Sequence, residues 1–376
     1  MNALYLHIPF CSRKCPYCDF YSVSNDHLRF AGYADLLIRH LQLARQQTEP
    51  GPLKTIFFGG GTPSLLPPAK VDAILKVADE LFGIAADAEI SLEANPGTVS
   101  AATLAGYRAA GVNRLSLGIQ SLQPNNLQLL GRIHSAADAR QAAHLARSAG
   151  FSNLSLDLMF ALPGQNLDDL HREIDELLAL QPGHLSCYGL SIEERTPFYH
   201  LHRSGGLEIP CEEKYVELFL ALHERLTQAG YLHYEISNYA RPGQECRHNL
   251  GYWQRQPYLG VGAGAHSFSD RDWGVRLAVP PDLERYARLL ATGTDPAEVL
   301  ETFDHRGAMA ETLYLGLRTA AGVDDLWFRQ RFGMGVAEAF PNAVAKTADR
   351  LRFEAGLWSF DLDGWLLYDH FITPFL

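Results

Sequence analysis

The chain has 376 residues with 47% hydrophobic and 20% charged content, ordinary for a soluble globular protein and enough to bury a large core without disulfide staples. Its 32 basic and 43 acidic residues leave a formal charge of -11, with no Lys/Arg block of the kind that tracks a phosphate backbone, which argues against a nucleic-acid partner. No run of about 18 uncharged apolar residues is present to cross a membrane, and "MNALYLHIPF" lacks the features of a signal peptide, so the mature protein is expected in the cytoplasm.

The first half alternates short apolar runs with amphipathic ones at intervals of roughly thirty residues, the rhythm of repeated βα units. Six strands are predicted: "LYLHI" (4–8), "TIFF" (55–58), "EISLE" (89–93), "RLSLGI" (114–119), "NLSLDLM" (153–159) and "HLSCYGL" (184–190). Helices such as "KVDAILKVADELFG" and "DARQAAHLARSAG" fill the intervals, with terminal glycines that suit a C-cap.

Parallel strands covered on both faces read as unbroken apolar runs, yet these alternate. Leu115, Leu117 and Ile119 share one face, and Arg114, Ser116, Gly118 and Gln120 share the other. Ile90 and Leu92 alternate with Glu89, Ser91 and Glu93, and Leu154, Leu156 and Leu158 with Asn153, Ser155 and Asp157. With the leucines against outer helices, right-handed crossovers curl the six units into a barrel whose inner face is polar and small, suited to a ligand cavity. A sheet with one solvated face is the other arrangement open to this pattern. Cys11, the glycine run after Phe58, Glu93, Gln120 and Asp157 fall at or just beyond the strands' C-terminal ends, where parallel α/β folds build their sites.

After about residue 290 the βα rhythm stops, dividing the chain into 1–290 and a smaller 291–376. Residues 301 to 356 read as helices, with "AMAETLYLGLRTAAG" and "AVAKTADRLRFEAG" each closed by glycine. The end, "LWSFDLDGWLLYDHF", reads as two apolar runs joined at Asp363-Gly364, a hairpin signal. Helices followed by a hairpin suggest a small winged-helix-like α+β domain.

Three of the six cysteines, Cys11, Cys15 and Cys18, lie within "CSRKCPYC", a pattern that fits a metal site in a reducing compartment and not a secreted disulfide framework. A structural zinc site needs a fourth ligand and typically a second paired hook, and none is evident. Iron-sulfur clusters use closely spaced thiolates in one loop. Three thiolates would hold three irons of a 4Fe-4S cube and leave the fourth open.

This Cx3CxxC motif resembles that of the radical S-adenosylmethionine (SAM) superfamily. The resemblance implies a partial (β/α)6 barrel, SAM chelated to the open iron, and one-electron cleavage of SAM to a 5'-deoxyadenosyl radical. "YLHIPFCSRKCPYCDF", "FFGGGTPS", "EANPG", "RLSLGIQS", "LGRIH", "DLMFALPGQ" and "YEISNYA" are similar, in order, to segments of the oxygen-independent coproporphyrinogen oxidase group. By that likeness Tyr5 would contact SAM near the cluster and Gly60, Gly61 and Thr62 would receive its methionyl amino group. Glu93 would bind the ribose, and Gln120, Arg132 and Asp157 would complete the pocket.

Two departures count against coproporphyrinogen decarboxylation. Phe20 stands where those oxidases carry a further cysteine, and the stretch before Cys11 is shorter than theirs. A third difference is a gain: "HNLGYW", with His248, Asn249, Tyr252 and Trp253, resembles the HNxxYW signature of HemW-type heme chaperones. A neutral imidazole is a common axial ligand to heme iron and aromatics can cover a porphyrin face. That makes His248 the leading candidate ligand, with Cys246 as a thiolate alternative and Cys187 and Cys211 as structural residues.

Two readings follow from the resemblance. In one the chain carries heme to acceptor hemoproteins of the respiratory chain, as a homodimer peripherally associated with the inner membrane, using the cluster and SAM in gating or transfer. In the other it is an enzyme that turns SAM over against a tetrapyrrole, by oxidative decarboxylation or heme-opening methylation. The electron donor is not legible in either.

Overall fold

The computed structural model describes residues 2–24, 27–48 and 51–376. Six parallel strands, β1 (Ala3–Ile8), β2 (Leu53–Gly60), β3 (Ile84–Ala94), β4 (Arg114–Gln120), β5 (Asn153–Phe160) and β6 (His184–Gly189), pair in chain order. They are followed in turn by helices α1 (His27–Ala44), α2 (Pro68–Phe82), α3 (Ala101–Ala109), α4 (Ala136–Ser148), α5 (Leu167–Ala179) and α6 (Glu212–Gln228). All six predicted strands are present, β3 longer than its apolar core. Several helices start where the sequence supplies a reciprocal cap. Ser100, Ser135 and Asn166 each accept from the backbone N–H three residues on, and Thr103, Asp138 and Asp169 return the bond to the cap's own backbone.

The alternation along the strands sorts them into two environments. Leu92, Leu115, Leu117, Ile119, Leu154, Leu156 and Leu158 join Ala139, Ala142, Ala143 and Ala146 of α4 in the main apolar core. The opposite face is not solvated: Ser91, Arg114, Ser116, Ser155, His184 and Ser186 are all buried. Three short strands extend the sheet to nine. Parallel β9 (Leu259–Val261) lies beyond β1, and antiparallel β8 (Asn238–Ala240) and β7 (Leu232–Glu235) lie beyond β6, so the order β9-β1-β2-β3-β4-β5-β6-β8-β7 does not close. At three or four residues each, these strands are too short for alternation to announce them.

A three-stranded antiparallel sheet follows, β10 (His266–Ser269), β11 (Val275–Ala278) and β12 (Glu298–Thr302). The C-terminal region then gathers a second core around Leu313, Phe328, Phe332, Phe360 and Phe375. It runs α8 (His305–Gly316), β13 (Val323–Asp324), α9 (Asp325–Phe332), two short helices Val336–Ala339 and Pro341–Lys346, β14 (Leu351–Glu354) and β15 (Leu357–Phe360), the sheet ordered β13-β15-β14. This is the winged-helix-like arrangement expected.

Two details correct the sequence reading. The stretch 301–356 is not all helical, since β12 enters it and β14 ends it. The hairpin turns at Ala355-Gly356, both left-handed at φ 50 and 86, as a tight two-residue turn requires. Asp363-Gly364 lies instead in the helix Leu362–Leu366, because Asp361 accepts from the Gly364 N–H and caps it. Among the described residues no helix is long and apolar enough to cross a membrane.

The two cores meet at a charged seam. Glu235, buried at the end of β7, accepts from Arg318 Nη2 at 2.8 Å and from Asn238 Nδ2 at 2.5 Å.

Candidate functional site

Cys11 leaves β1 through a two-residue parallel pairing of Phe10–Cys11 with Val23–Ser24, which ties off the loop carrying Cys15 and Cys18. The loop is held from outside at several points. Phe198 N–H donates to the Pro16 carbonyl at 3.0 Å, Tyr17 packs against a small satellite core that includes Phe198, and Gly131 leaves no room for a Cβ, which would sit 2.8 Å from Pro16. All three thiols are half-buried and free. Arg132 Nη1 lies 3.5 Å from Cys15 Sγ, and the Thr62 hydroxyl 3.6 Å from Cys11 Sγ. Burial raises the Cys18 pKa, and the neighbouring Cys15 and Cys11 add to the shift. Among the described residues no three His, Cys, Asp or Glu side chains converge as ligands of one ion would. A cluster asks for a different set, one thiolate per iron on a single loop, and the three half-open thiols beside a guanidinium fit it.

The other residues expected at a SAM pocket stand around the same mouth. Gly60 has a φ of 112, and a Cβ there would meet the His7 ring at 2.7 Å; a Cβ at Gly61 would meet the Phe10 carbonyl at 2.7 Å. Only glycine lets the chain cross the end of β1 this closely. The Gly60 N–H donates to Glu93 Oε2 at 3.3 Å. Asp157 Oδ1 accepts from the Ser116 hydroxyl at 3.0 Å. Burial pushes Glu93 up to about 8, with the Asp157 charge adding to it, and burial pushes Asp157 up to about 6 against the opposing pull of Ser116 and Arg114. Two desolvated carboxyls are a receptive wall for hydroxyl donors and for a cation. Gln120 is left-handed at φ 68, which brings it over Gly118 beside Arg132. Tyr5 hydrogen-bonds His7 Nδ1 at 3.0 Å, and burial raises its phenol pKa, with Glu93 nearby adding to the shift.

Asn95 was not anticipated. Its Oδ1 accepts from Arg132 and its Nδ2 donates to Thr62 Oγ1 at 3.3 Å, so it links the arginine to the glycine turn. Its place in "EANPG" was the available signal. Arg132 also donates to the Gly118 carbonyl at 2.6 Å while its Nε stays buried without a partner.

The HNLGYW segment forms the end of α7 (Arg247–Trp253), whose His248 face packs into the barrel below this mouth. Glu89, inward-facing midway along β3, accepts from the backbone N–H groups of Arg247 and His248 at 3.0 Å each and from the Cys246 thiol at 3.7 Å. His248 is 1% exposed, with Nδ1 2.9 Å from Thr55 Oγ1 and Nε2 2.7 Å from the Tyr252 hydroxyl. Burial, helped by the Arg114 charge, pushes its pKa down to about 3, so the ring is neutral. It stacks on Phe57 at 5.1 Å, and Phe57 stacks on Tyr5 at 6.3 Å. Both ring nitrogens are thus engaged inside the barrel, and the structure does not bring them to open space. Cys246 is buried too, its thiol pushed up to about 12 by burial. Asn249 is half-buried on the same helix. Trp253 lies outside the barrel, under Arg318 at 4.8 Å, with its indole N–H buried and unpartnered. Of the two cysteines expected to be structural, Cys187 is buried in β6 and Cys211 is exposed at the start of α6.

Residues 5–177 match the radical SAM superfamily model. The heme chaperone HemW of Bacillus subtilis is 35% identical, over 93% of this chain and 92% of that one. HemW of Synechocystis is 42% identical over 86% of this chain and 79% of its own length. The solved structure of the Escherichia coli coproporphyrinogen III oxidase HemN, a radical SAM enzyme, superposes with a TM-score of 0.85 over 100% of this chain and 90% of that one at 22% identity, a likeness of fold. With identity of this level sustained across most of both chains, the chain belongs to the HemW heme-chaperone family of the radical SAM superfamily.

Proposed function

We propose that the chain binds heme and passes it to acceptor hemoproteins, with a 4Fe-4S cluster on Cys11, Cys15 and Cys18 and SAM at the barrel mouth. Membership of a family of heme chaperones supports the cargo. The observation that carries the cofactor part is convergence: three thiols, a guanidinium, a glycine turn and two desolvated carboxyls gather at one end of the barrel. When bound, the cluster supplies one electron at a time to SAM.

The chain's own residues divide the remaining work. Arg132 reaches the Cys15 sulfur and ties the cluster loop to the ends of β3 and β4. Gly60 and Gly61 admit the ligand's amino group without a Cβ in the way, and Glu93, Asp157 and Gln120 take its hydroxyl and cationic parts, while Tyr5 and Thr62 close the wall. Acceptor proteins of the respiratory chain, a homodimer and peripheral contact with the inner membrane complete the proposal.

The test is anaerobic. Reconstituted, reduced protein receives SAM with either heme or coproporphyrinogen III, and bound heme, protoporphyrinogen and 5'-deoxyadenosine are assayed together. Stoichiometric heme without porphyrinogen product is expected. Protoporphyrinogen formed alongside 5'-deoxyadenosine would establish a tetrapyrrole-modifying enzyme instead.

A further inference from the structure

A cavity of about 540 Å³ lies between α7 and the C-terminal domain, within the size range of small-molecule sites. Leu250 and Trp253 of α7 form one wall, and Trp327 and Phe332 of α9 form another. Trp327 is 44% exposed, which leaves part of its indole open to a ligand in the cavity. Arg331 also lines the cavity. Its guanidinium lies over the Trp273 and Phe332 rings and donates to the Asp272 carbonyl at 2.6 Å, and among the described residues no carboxylate forms an ion pair with it. Arg255, by contrast, is committed to Glu311. Of the acids at the cavity, Asp324 accepts from the Trp327 N–H and caps α9, leaving Asp270 at the rim.

We propose that this cavity is the tetrapyrrole site: the macrocycle lies against Trp253, Trp327 and Phe332, with a carboxylate of its edge directed to Arg331. The assignment rests on the heme-carrier reading above and names its site. Aromatic walls match a planar ring, an unpaired guanidinium matches a propionate, and the buried indole N–H of Trp253 offers one more donor. The cavity contains no His, Cys or Met side chain, whereas the imidazole of His248 has both nitrogens engaged on the far side of α7. Binding here is therefore by the ring and its carboxylates, not by the iron.

That chemistry gives a direct test with the cluster-loaded full chain. Wild type, Trp327→Glu and Ala321→Trp are titrated with hemin and with metal-free protoporphyrin IX, followed by Soret absorbance and tryptophan quenching, with circular dichroism as the folding control. Wild type should bind both ligands with comparable affinity, and each variant should bind both about tenfold or more weakly. Wild-type affinity for hemin in both folded variants would overturn the cavity assignment, as would hemin binding without protoporphyrin binding, which would require a ligand to iron. Failure of wild type to bind either ligand would overturn the carrier reading itself.

Discussion

Arg132 joins the cluster loop to the strand ends through one side chain, and Glu93 does the same for the glycine turn. Glu93 also makes the site pH-sensitive. Its carboxyl is pushed from the usual 4.5 up to about 8 by burial, so the folded chain keeps a proton that the unfolded chain has released. Its contribution to stability is full below pH 4.5 and is lost as pH rises through 8. Glu93→Gln lacks that dependence, so without SAM the variant's melting temperature should gain on wild type between pH 5 and pH 8. Parallel profiles would mean that the carboxyl is not desolvated. Residues of this kind were legible when they sat in a motif at a strand's end, as Cys11, Glu93 and Asp157 do. Asn95 and Arg114 were not, because their meaning lies in partners from other strands. His248 shows the converse: the motif was legible, but the barrel floor that occupies both its ring nitrogens is assembled from Thr55 and Tyr252, distant in sequence or a helical turn away.

The seven residues of α7 are held by one carboxylate. Glu89 takes the first two backbone N–H groups of the helix and the Cys246 thiol, and its charge also acts on buried Arg114. Glu89→Ala leaves buried donors unsatisfied, and a loss of about 2–4 kcal/mol in urea unfolding is expected. A loss under about 0.5 kcal/mol, the size of an ordinary surface change, would show that water replaces the carboxylate. At the other end of the chain, Ala355 bears the left-handed conformation of the β14–β15 turn. Ala355→Gly removes a strain of about 1 kcal/mol, and a raised melting temperature is the expected reading; an unchanged or lowered one would mean that the entropy of the added glycine offsets it. The turn was misplaced in the sequence because Asp-Gly is the stronger local signal, and only pairing of Leu351 with Phe360 fixes the register.

Across the whole molecule, two sets of buried groups titrate against each other. Burial holds His184, His134, His233 and His248 neutral, with His134 and His233 pushed down to about 4 and His248 to about 3. Burial pushes Glu93 up to about 8, Glu173 to about 7 and Asp157 to about 6. As pH falls from 6.5 the unfolded chain takes up protons that the four folded histidines refuse, which outweighs the opposing gain from the three acids. Below pH 4.5 those acids are protonated in both states, so stability falls on acidification. Above pH 7 the histidines are neutral in both states, and the acids lose their contribution as pH rises. The melting temperature of protein without cluster or SAM should therefore peak near about pH 6; a steady rise from pH 5 to pH 8 would contradict the burial of the acids. The six-unit barrel and the small C-terminal domain were legible because helical and strand periods repeat over long stretches. The nine-stranded width of the sheet was not, since β7, β8 and β9 are held by tertiary pairing alone.

α7 is a party wall. Through His248, Phe57 and Tyr5 it backs onto the mouth where the cluster and SAM are proposed, and through Leu250 and Trp253 it faces the cavity proposed for the tetrapyrrole. Two ligands on opposite sides of one short helix need never touch to influence each other. Any displacement of the helix that favours one of them alters the other's affinity by the same factor in both directions, so a change in SAM affinity on adding heme must equal the change in heme affinity on adding SAM.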